Sequence, residues 1–300
     1  MKGKYKIITA MLIFGSIGIF VKGIHLSSSE IAFLRGVIGS IFLIIASLFA
    51  KQQISLKSMK KNLILLILSG AAIGFNWILL FEAYRYTTIS NATLSYYFAP
   101  VFVMVLAPFV LKEKLTPVKT GCILAAMAGL FLVVNIGGSS AGTSYNHPLG
   151  ILYGLMAAAL YSSVILMNKF IKNLSGFETT LIQLLVSALV LLPYVMVRDH
   201  FDFSGLDSKS IVLIFIVGIV HTGFAYYMYF GSVKELSGQT IAVLSYIDPI
   251  SAVIMAAIFL GESMSIVQII GGILILGSTF VSEKLDMKIQ AKKEKIIGGR

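Results

Sequence analysis

Residues 95–100 read SYYFAP and residues 245–249 read SYIDP. Each stretch lies within an apolar run, and a helix needs about 20 such residues to span about 30 Å of hydrocarbon. A proline inside a helix removes one backbone hydrogen bond and clashes with the preceding turn. The chain places this disruption at two corresponding positions, and an aspartate precedes the second.

The composition indicates a membrane protein. Of the 300 residues, 57% are hydrophobic and 12% are charged, whereas a soluble domain carries about 25% charged residues. The mean hydropathy is +0.92. Recurring apolar segments predict ten transmembrane helices, at residues 7–22, 31–50, 62–83, 91–111, 118–137, 149–168, 178–197, 210–231, 238–260 and 266–282.

The net charge of +11 does not indicate nucleic-acid binding, because the basic residues mark alternate loops. One side of the predicted topology carries 19 of the 24 lysine and arginine residues, and the other keeps Lys22, Arg85, Arg198 and Lys209. The positive-inside rule therefore places both termini in the cytoplasm. This orientation requires an even number of spans, and ten satisfies it.

Shifting the sequence by 149 residues reveals an internal repeat without gaps between residues 74 and 113. The identical pairs are Gly74 and Gly223, Phe75 and Phe224, Phe81 and Phe230, Tyr97 and Tyr246, Pro100 and Pro249, Ala107 and Ala256, Leu111 and Leu260, and Glu113 and Glu262. Each half holds five spans, and an odd number forces the halves into opposite orientations. The predicted fold is an all-α integral membrane protein with ten transmembrane helices in two inverted five-helix repeats. The repeats cover residues 1–141 and 142–283, and a basic cytoplasmic tail follows at residues 284–300.

Pro100 and Pro249 lie near the middle of predicted spans four and nine. Each is expected to kink its helix and free a carbonyl group, which hydrocarbon tolerates only where the group faces protein or a water-filled cavity. The alternative is that each kink only shapes helix packing. The symmetric placement of the two prolines favours a shared central cavity.

Three charged residues within the spans are candidates for a functional role, namely Asp248, Arg35 and Glu82. An aspartate at the centre of a span costs about 2.5–3.5 kcal/mol on insertion scales, so a compensating role is expected. Asp248 could carry a proton, contact a substrate ammonium group, or be a structural carboxyl that is hydrogen-bonded to a neighbouring helix. A substrate could bridge Arg35 and Asp248. The alternative for Arg35 and Glu82 is a mutual salt bridge that closes the external side.

Polar and aromatic residues crowd the same spans and suit a small organic ligand. The predicted substrate-binding residues are Arg35, Asn76, Trp77, Tyr97, His221, Tyr227, Tyr246 and Asp248. Packing is the alternative for many of them, and tyrosines near span ends are often interfacial anchors. Glu113 and Glu262 follow spans four and nine, and with Glu82 they are predicted to support a gate or the structure.

The sequence predicts no catalytic site. Its one cysteine is Cys122, and it lacks an H-E-x-x-H motif, a G-x-S-x-G motif and a nucleotide-binding glycine loop. We therefore expect no enzyme activity, no metal and no cofactor.

The chain resembles the drug/metabolite transporter superfamily, specifically the bacterial ten-helix proteins with two EamA domains. The resemblance covers residues 7–283 and rests on the length, the repeat, and the stretches LFEAYRYTTISNATLSYYFAPVFVMVLAPFVLKEKL and YFGSVKELSGQTIAVLSYIDPISAVIMAAIFLGE. Asp248 and Pro249, followed by Glu262, resemble the family's pattern. The first half departs from it, because Ala99 precedes Pro100.

This resemblance implies a secondary transporter with a central cavity, commonly an exporter of amino acids or other small metabolites. We expect a monomer in the bacterial cytoplasmic membrane. Its expected partners are a small-molecule substrate, the lipid bilayer, and a proton or another coupling ion. Two alternatives stay open: a multidrug permease that exports cationic compounds, and a membrane scaffold or sensor that only binds.

The lysine distribution predicts that the loop between spans two and three is cytoplasmic and that the loop between spans seven and eight is external. In a Cys122→Ser background, an impermeant thiol reagent should label Ser204→Cys in intact cells. It should label Ser58→Cys only after the membrane is made permeable. Labelling of Ser58→Cys in intact cells would contradict the orientation.

Overall fold

The computed structural model describes residues 2–49, 55–112, 115–136, 145–201, 206–233, 235–236, 241 and 244–297. Several positions discussed above lie outside these ranges, namely Glu113, Ser204, Arg300 and the boundary between residues 141 and 142. Every regular element within the described ranges is a helix. The α-helices are α1 Lys2–Lys22, α2 Ser28–Phe49, α3 Leu56–Lys61, α4 Leu63–Tyr86, α5 Ile89–Tyr96, α6 Ala99–Val110, α7 Pro117–Ile136, α8 His147–Asn168, α9 Gly176–Arg198, α10 Ser208–Ile216, α11 Ala225–Val233, α12 Ile247–Leu260 and α13 Ile266–Ile297. A π-helical segment, Val217–Phe224, joins α10 to α11.

The helices have the length and composition of a multi-pass membrane protein. Seven helical stretches in the described residues are long and apolar enough to cross a membrane. Three shorter apolar helices, Pro117–Val133, Ile247–Leu260 and Ile266–Ser282, overlap predicted spans five, nine and ten. The structure is therefore that of an all-helical membrane protein, and the count of ten spans stays a prediction.

Predicted span four is broken in the middle. Helix α5 ends at Tyr96, and α6 begins at Ala99 with Phe98 as its N-terminal cap residue. Pro100 occupies the first turn of α6. Backbone N–H groups in a first turn have no acceptor within the helix, so a residue without one is tolerated there. Pro249 has a similar place in α12, which begins at Ile247. The interruption in span four thus lies just before the proline, between the end of α5 and the start of α6.

Local sequence signals explain several helix ends. Ser175 and Glu178 form a reciprocal capping box at the start of α9. Thr88 caps α5 by accepting a hydrogen bond from the backbone N–H of Asn91. Helix α12 ends at Gly261, whose φ of 65° lies in the left-handed region that favours glycine. The turn at this glycine directs the next residue, Glu262, back toward α5.

Helix α4 lies at the centre of the bundle and packs against α2, α8 and α9, while α1 packs against α11 and α12. The buried core between them includes Leu43, Phe81, Leu181 and Leu191. Helices α7 and α13 approach each other so closely at Gly129 that a Cβ there would lie 2.5 Å from the backbone oxygen of Gly271. Small residues thus allow tight packing away from the centre, and the larger gap in the bundle lies where α5 ends and α12 begins.

The break in span four, and the proline in the first turn of α12, predict that these helices bend during function. The Pro100→Ala, Pro249→Ala double variant regains two backbone donors, which favours straight helices in spans four and nine. We expect solute exchange in proteoliposomes to fall by about tenfold, which corresponds to about 1.4 kcal/mol in a barrier or an equilibrium.

Membrane insertion of the double variant should stay unchanged, as measured by the yield of folded protein from membranes. A double variant that exchanges solute at the original rate would reduce both prolines to packing residues.

Candidate functional site

A cavity of about 670 Å³ lies beside the break between α5 and α6 and beside the start of α12. This volume falls in the range of roughly 300–1,000 Å³ that small-molecule sites occupy. Its lining comes from α1, α2, α4, α5, α6, α8, α9, α11 and α12, and it reaches Ile171 and Leu174 in the connection between α8 and α9. The cavity therefore extends from the middle of the bundle to one of its ends.

The hydroxyl of Tyr97 connects the break in span four to the start of α12. It donates a hydrogen bond of 2.7 Å to Oδ2 of Asp248. Asp248 lies in the first turn of α12, where the helix dipole stabilises negative charge. Its other oxygen, Oδ1, has no hydrogen-bond partner among the described residues and is not fully buried. Asp248 can therefore accept a further hydrogen bond from the cavity.

Arg35 supplies the opposite charge to the same cavity. The residue is only 4% exposed, and its guanidinium carbon lies 4.1 Å from the centroid of the Trp77 ring. Its Nε donates to Oγ1 of Thr222 over 2.9 Å. The expected alternative, a salt bridge with Glu82, is wrong, because Glu82 pairs with Arg85 at 3.5 Å.

Aromatic rings cover much of the remaining wall. They belong to Phe14, Trp77, Tyr84, Tyr96, Tyr97, Tyr161, Tyr226, Tyr229 and Phe230. The side-chain amide of Asn76 donates to the carbonyl of Ala157, and its oxygen receives a long bond of 3.5 Å from the Tyr96 hydroxyl. The cavity thus offers apolar faces with a few polar groups and two opposite charges, which suits a small amphiphilic molecule.

Glu262 forms several polar contacts at the end of the bundle that is opposite the cavity mouth. Its carboxylate accepts hydrogen bonds from the backbone N–H groups of Ile89 (2.8 Å) and Ser90 (3.1 Å), and from the Ser90 hydroxyl (3.1 Å). Lys22 adds an ion pair of 3.0 Å and also reaches the Tyr145 hydroxyl. One carboxylate therefore joins α12 to the ends of α1 and α5. We call these residues, Lys22, Ile89, Ser90 and Glu262, the Glu262 seal.

Polar contacts at the cavity end of the bundle include two hydrogen bonds between the Asn62 side chain and the backbone of Lys172. Lys6 forms an ion pair with Glu235, and both side chains are about one-third or more exposed. Deeper in the cavity, the amide nitrogen of Gln183 donates to Ser69 and to Asn168.

The structure brings together five of the predicted binding residues: Arg35, Asn76, Trp77, Tyr97 and Asp248 line the cavity, as does Pro100. Three others lie elsewhere. His221 is buried against Phe20 and hydrogen-bonds Ser16 over 2.9 Å. Tyr227 is 43% exposed, and Tyr246 packs edge-on against Phe280. Glu113 lies outside the described residues.

Sequence reasoning missed Phe14 and Thr222. Phe14 lies on α1, lines the cavity and contacts the Tyr226 ring. It comes from a uniformly apolar helix, so no pattern distinguished its face. Thr222 holds the buried guanidinium of Arg35, and the only sequence signal for it was its position beside His221.

Comparisons with known proteins agree on one family. The EamA-like transporter family matches the chain over residues 1–135 and again over residues 148–283. The uncharacterized transporter YxxF of Bacillus subtilis is 31% identical over 271 residues, which cover 90% of this chain and 86% of that protein. The uncharacterized inner membrane transporter YicL of Salmonella typhimurium is 25% identical and covers 97% of this chain and 98% of its own length.

A solved crystal structure shares the fold. It has 18% sequence identity and a TM-score of 0.64, and the match covers 96% of this chain and 98% of that chain. At this identity the likeness concerns the fold alone.

The Glu262 seal predicts a shift in conformation when its charge is removed. Glu262→Gln loses the ion pair with Lys22. Its amide N–H group would also face the N–H and O–H groups of Ile89 and Ser90, which need an acceptor. Each hydrogen bond to a charged group contributes about 1.5–3 kcal/mol. We expect the ratio of open to closed molecules at this end to rise at least about tenfold. Spin labels at Tyr86→Cys and Ser263→Cys, in a Cys122→Ser background, report this as a growing long-distance component.

Glu82→Gln is the matched control, since Glu82 lies at the same end of the bundle but pairs with the exposed Arg85. An unchanged distance distribution in Glu262→Gln, or an equal change in Glu82→Gln, would contradict a sealing role for Glu262.

Proposed function

Because the chain belongs to the EamA-like transporter family, we propose that it is a secondary transporter that moves a small amphiphilic metabolite, in particular an amino acid, by alternating access. The observation that carries the proposal is the cavity, which reaches one end of the bundle and is closed at the other by the Glu262 seal. A solute in such a cavity has access to one side of the membrane at a time.

The internal repeat supplies the means of exchanging the two ends. Two inverted halves around a central site can swap roles, so that the end that was open closes and the other opens. Two separate family matches, one in each half, support two repeats with their boundary near residues 141–142. The ten spans and the inverted arrangement belong to this proposal.

The orientation of the cavity mouth in the membrane suggests the direction of transport. The cavity mouth lies beside the connection between α8 and α9, which carries Lys169 and Lys172 and is cytoplasmic by the positive-inside rule. Both termini are then cytoplasmic, and the Glu262 seal is external. This conformation receives its solute from the cytoplasm, as an exporter in the bacterial cell membrane does before the outward step.

Opposite charges in one cavity favour a zwitterionic solute over a simple cation. Asp248 can attract an ammonium group, and Arg35 can attract a carboxylate. The second candidate is the export of lipophilic cations, which the aromatic lining and Asp248 favour. The buried guanidinium of Arg35 disfavours it, because it raises the cost of bringing a second positive charge into the cavity.

Counterflow in proteoliposomes tests transport directly. Vesicles loaded with an unlabelled amino acid should accumulate the same labelled amino acid, and a parallel panel of lipophilic cations tests the second candidate. Absence of exchange for every amino acid and cation in the panel would favour a scaffold or sensor.

Asp248→Asn separates the roles of the carboxyl, since the amide keeps the shape but cannot ionise. If Asp248 carries a coupling proton, uphill transport and its pH dependence should disappear while exchange survives. If Asp248 binds the ammonium group, exchange should fall by at least about tenfold as well, which is the scale of one lost hydrogen bond to a charged group.

Lys6→Gln is a matched control, because it removes a charge at the rim of the bundle. An Asp248→Asn protein with full, normally pH-dependent transport would leave Asp248 a structural carboxyl.

A further inference from the structure

The guanidinium of Arg35 has more hydrogen-bonding capacity than the protein around it uses. It carries five N–H donors, and the one with an acceptor among the described residues is Nε–H, which donates to Thr222. Both Nη atoms lack a hydrogen-bond partner among the described residues, and neither is fully buried. Both are therefore accessible from the cavity that Arg35 lines. A residue that is 96% buried thus presents a free, planar pair of nitrogens to an internal space.

Two contacts fix the direction of this pair. The guanidinium carbon lies over the Trp77 ring, 4.1 Å from its centroid, and 5.7 Å from the centroid of Phe81. The Nε side is held by Thr222, whose own hydroxyl donates to the carbonyl of Val217 over 3.0 Å. That bond spans five residues and fits the π-helical segment, which aims the Thr222 oxygen at α2. Trp77 covers one side of the guanidinium and Thr222 occupies its Nε–H, so the two Nη groups are the part that a ligand can reach.

Close packing keeps this geometry rigid. A Cβ at Gly39 of α2 would lie 2.4 Å from Cγ2 of Thr222, and a Cβ at Gly218 would lie 2.5 Å from Ile38. The missing side chains let α2 approach the π-helical segment closely enough for Arg35 to reach Thr222. π-Helical turns of this kind are often found at functional sites.

We propose that the Nη edge of Arg35, oriented by Trp77 and Thr222, is an anion subsite that binds a carboxylate of the transported solute. The proposal deepens the transport function above and rests on it for the identity of the ligand as a solute. A planar carboxylate matches the two Nη donors in a bidentate arrangement. Asp248 faces the same cavity with one free oxygen, so it disfavours a solute that carries only negative charge. The solute therefore combines a carboxylate with a cationic or polar group.

Trp77 offers a direct probe, because it is the only tryptophan of the chain and lies against the guanidinium. In purified protein, quenching of Trp77 fluorescence by iodide measures how easily an anion reaches Trp77. Quenching by acrylamide measures how easily a neutral molecule reaches it. Arg35→Gln should lower the iodide quenching constant at least about threefold and leave the acrylamide constant unchanged, since the attraction between iodide and a buried cation is lost. Arg85→Gln, which removes an exposed arginine, is the matched control and should change neither constant.

Competition identifies the anion class. Leucine should protect Trp77 from iodide in the original protein and fail to do so in Arg35→Gln, whereas 3-methylbutylamine, the same molecule without its carboxylate, should not protect. Inorganic phosphate should protect at least about tenfold less well than leucine, because it has no cationic group to face Asp248, and that carboxylate opposes its negative charge. Equal protection by leucine and 3-methylbutylamine, no protection by leucine, or equal protection by phosphate would each overturn the proposal.

Thr222 is a positioning residue, and its variants keep the test valid if Arg35→Gln does not fold. Thr222→Val keeps the shape but removes the acceptor of Nε, so the leucine concentration for half-protection should rise about tenfold, as for one lost hydrogen bond to a charged group. Thr222→Ser should restore it. A purely structural role would predict lower thermal stability in Thr222→Val with unchanged half-protection, and that result would contradict the assignment of Thr222.

Transport and the subsite can fail separately. If leucine protects Trp77 through Arg35 but no amino acid exchanges in proteoliposomes, the subsite stands and the transport proposal falls. If exchange proceeds equally in Arg35→Gln and for solutes without a carboxylate, transport stands and the subsite is wrong.

Discussion

Hydrocarbon offers no hydrogen-bond partner to a broken backbone or a buried charge, and the centre of this protein is arranged around that constraint. Asp248 and the break in span four are each costly at this depth. The Tyr97 hydroxyl lies at the break and donates to Asp248, while the cavity gives the remaining polar groups a space where water or solute can reach them. A sealed apolar core would leave these groups unsatisfied, so the broken helices and the cavity depend on each other.

The two repeats differ in their charged residues. A shift of 149 residues places Leu184 at the position of Arg35 and Ala99 at the position of Asp248, and both apolar counterparts line the same cavity. The π-helical segment corresponds to residues 68–75, which belong to the regular helix α4. Each half thus contributes one charge, and Thr222, which holds the first half's arginine, comes from the second half. In the proposed transport cycle, a solute that contacts both charges touches both halves, so that its binding is coupled to their relative motion.

The sequence predicted the features that depend on composition and spacing. Apolar runs gave most helices within a few residues, and the paired prolines indicated the break between α5 and α6. Charge inside apolar runs identified Arg35 and Asp248, because burying such groups is costly enough to require a reason.

Features that depend on helix rotation and local irregularity were not predictable. Tyr226 and Tyr227 are adjacent in sequence, yet Tyr226 lines the cavity and Tyr227 is 43% exposed, because consecutive helical residues point in different directions. The π-helical segment changes this rotation within predicted span eight. It turns His221 toward Ser16 of α1 and Thr222 toward Arg35. Glu262 was assigned a gate-supporting role from its position, but its partners depend on the turn at Gly261 and on the start of α5.

The strengths of the polar contacts at the two ends set a requirement for transport. The ion pair between Lys6 and Glu235 is partly exposed, and such pairs contribute about 0–1 kcal/mol. The Glu262 carboxylate is 8% exposed and accepts from two backbone groups, one hydroxyl and one lysine, and bonds to a charged group contribute more. In the proposed cycle, the Glu262 contacts stabilise the conformation that is closed at this end. A solute can open that end only through a higher affinity for the open conformation than for the closed one. Arg35 and Asp248 can supply such a difference if the two halves, by moving, bring the two charges into simultaneous contact with the solute.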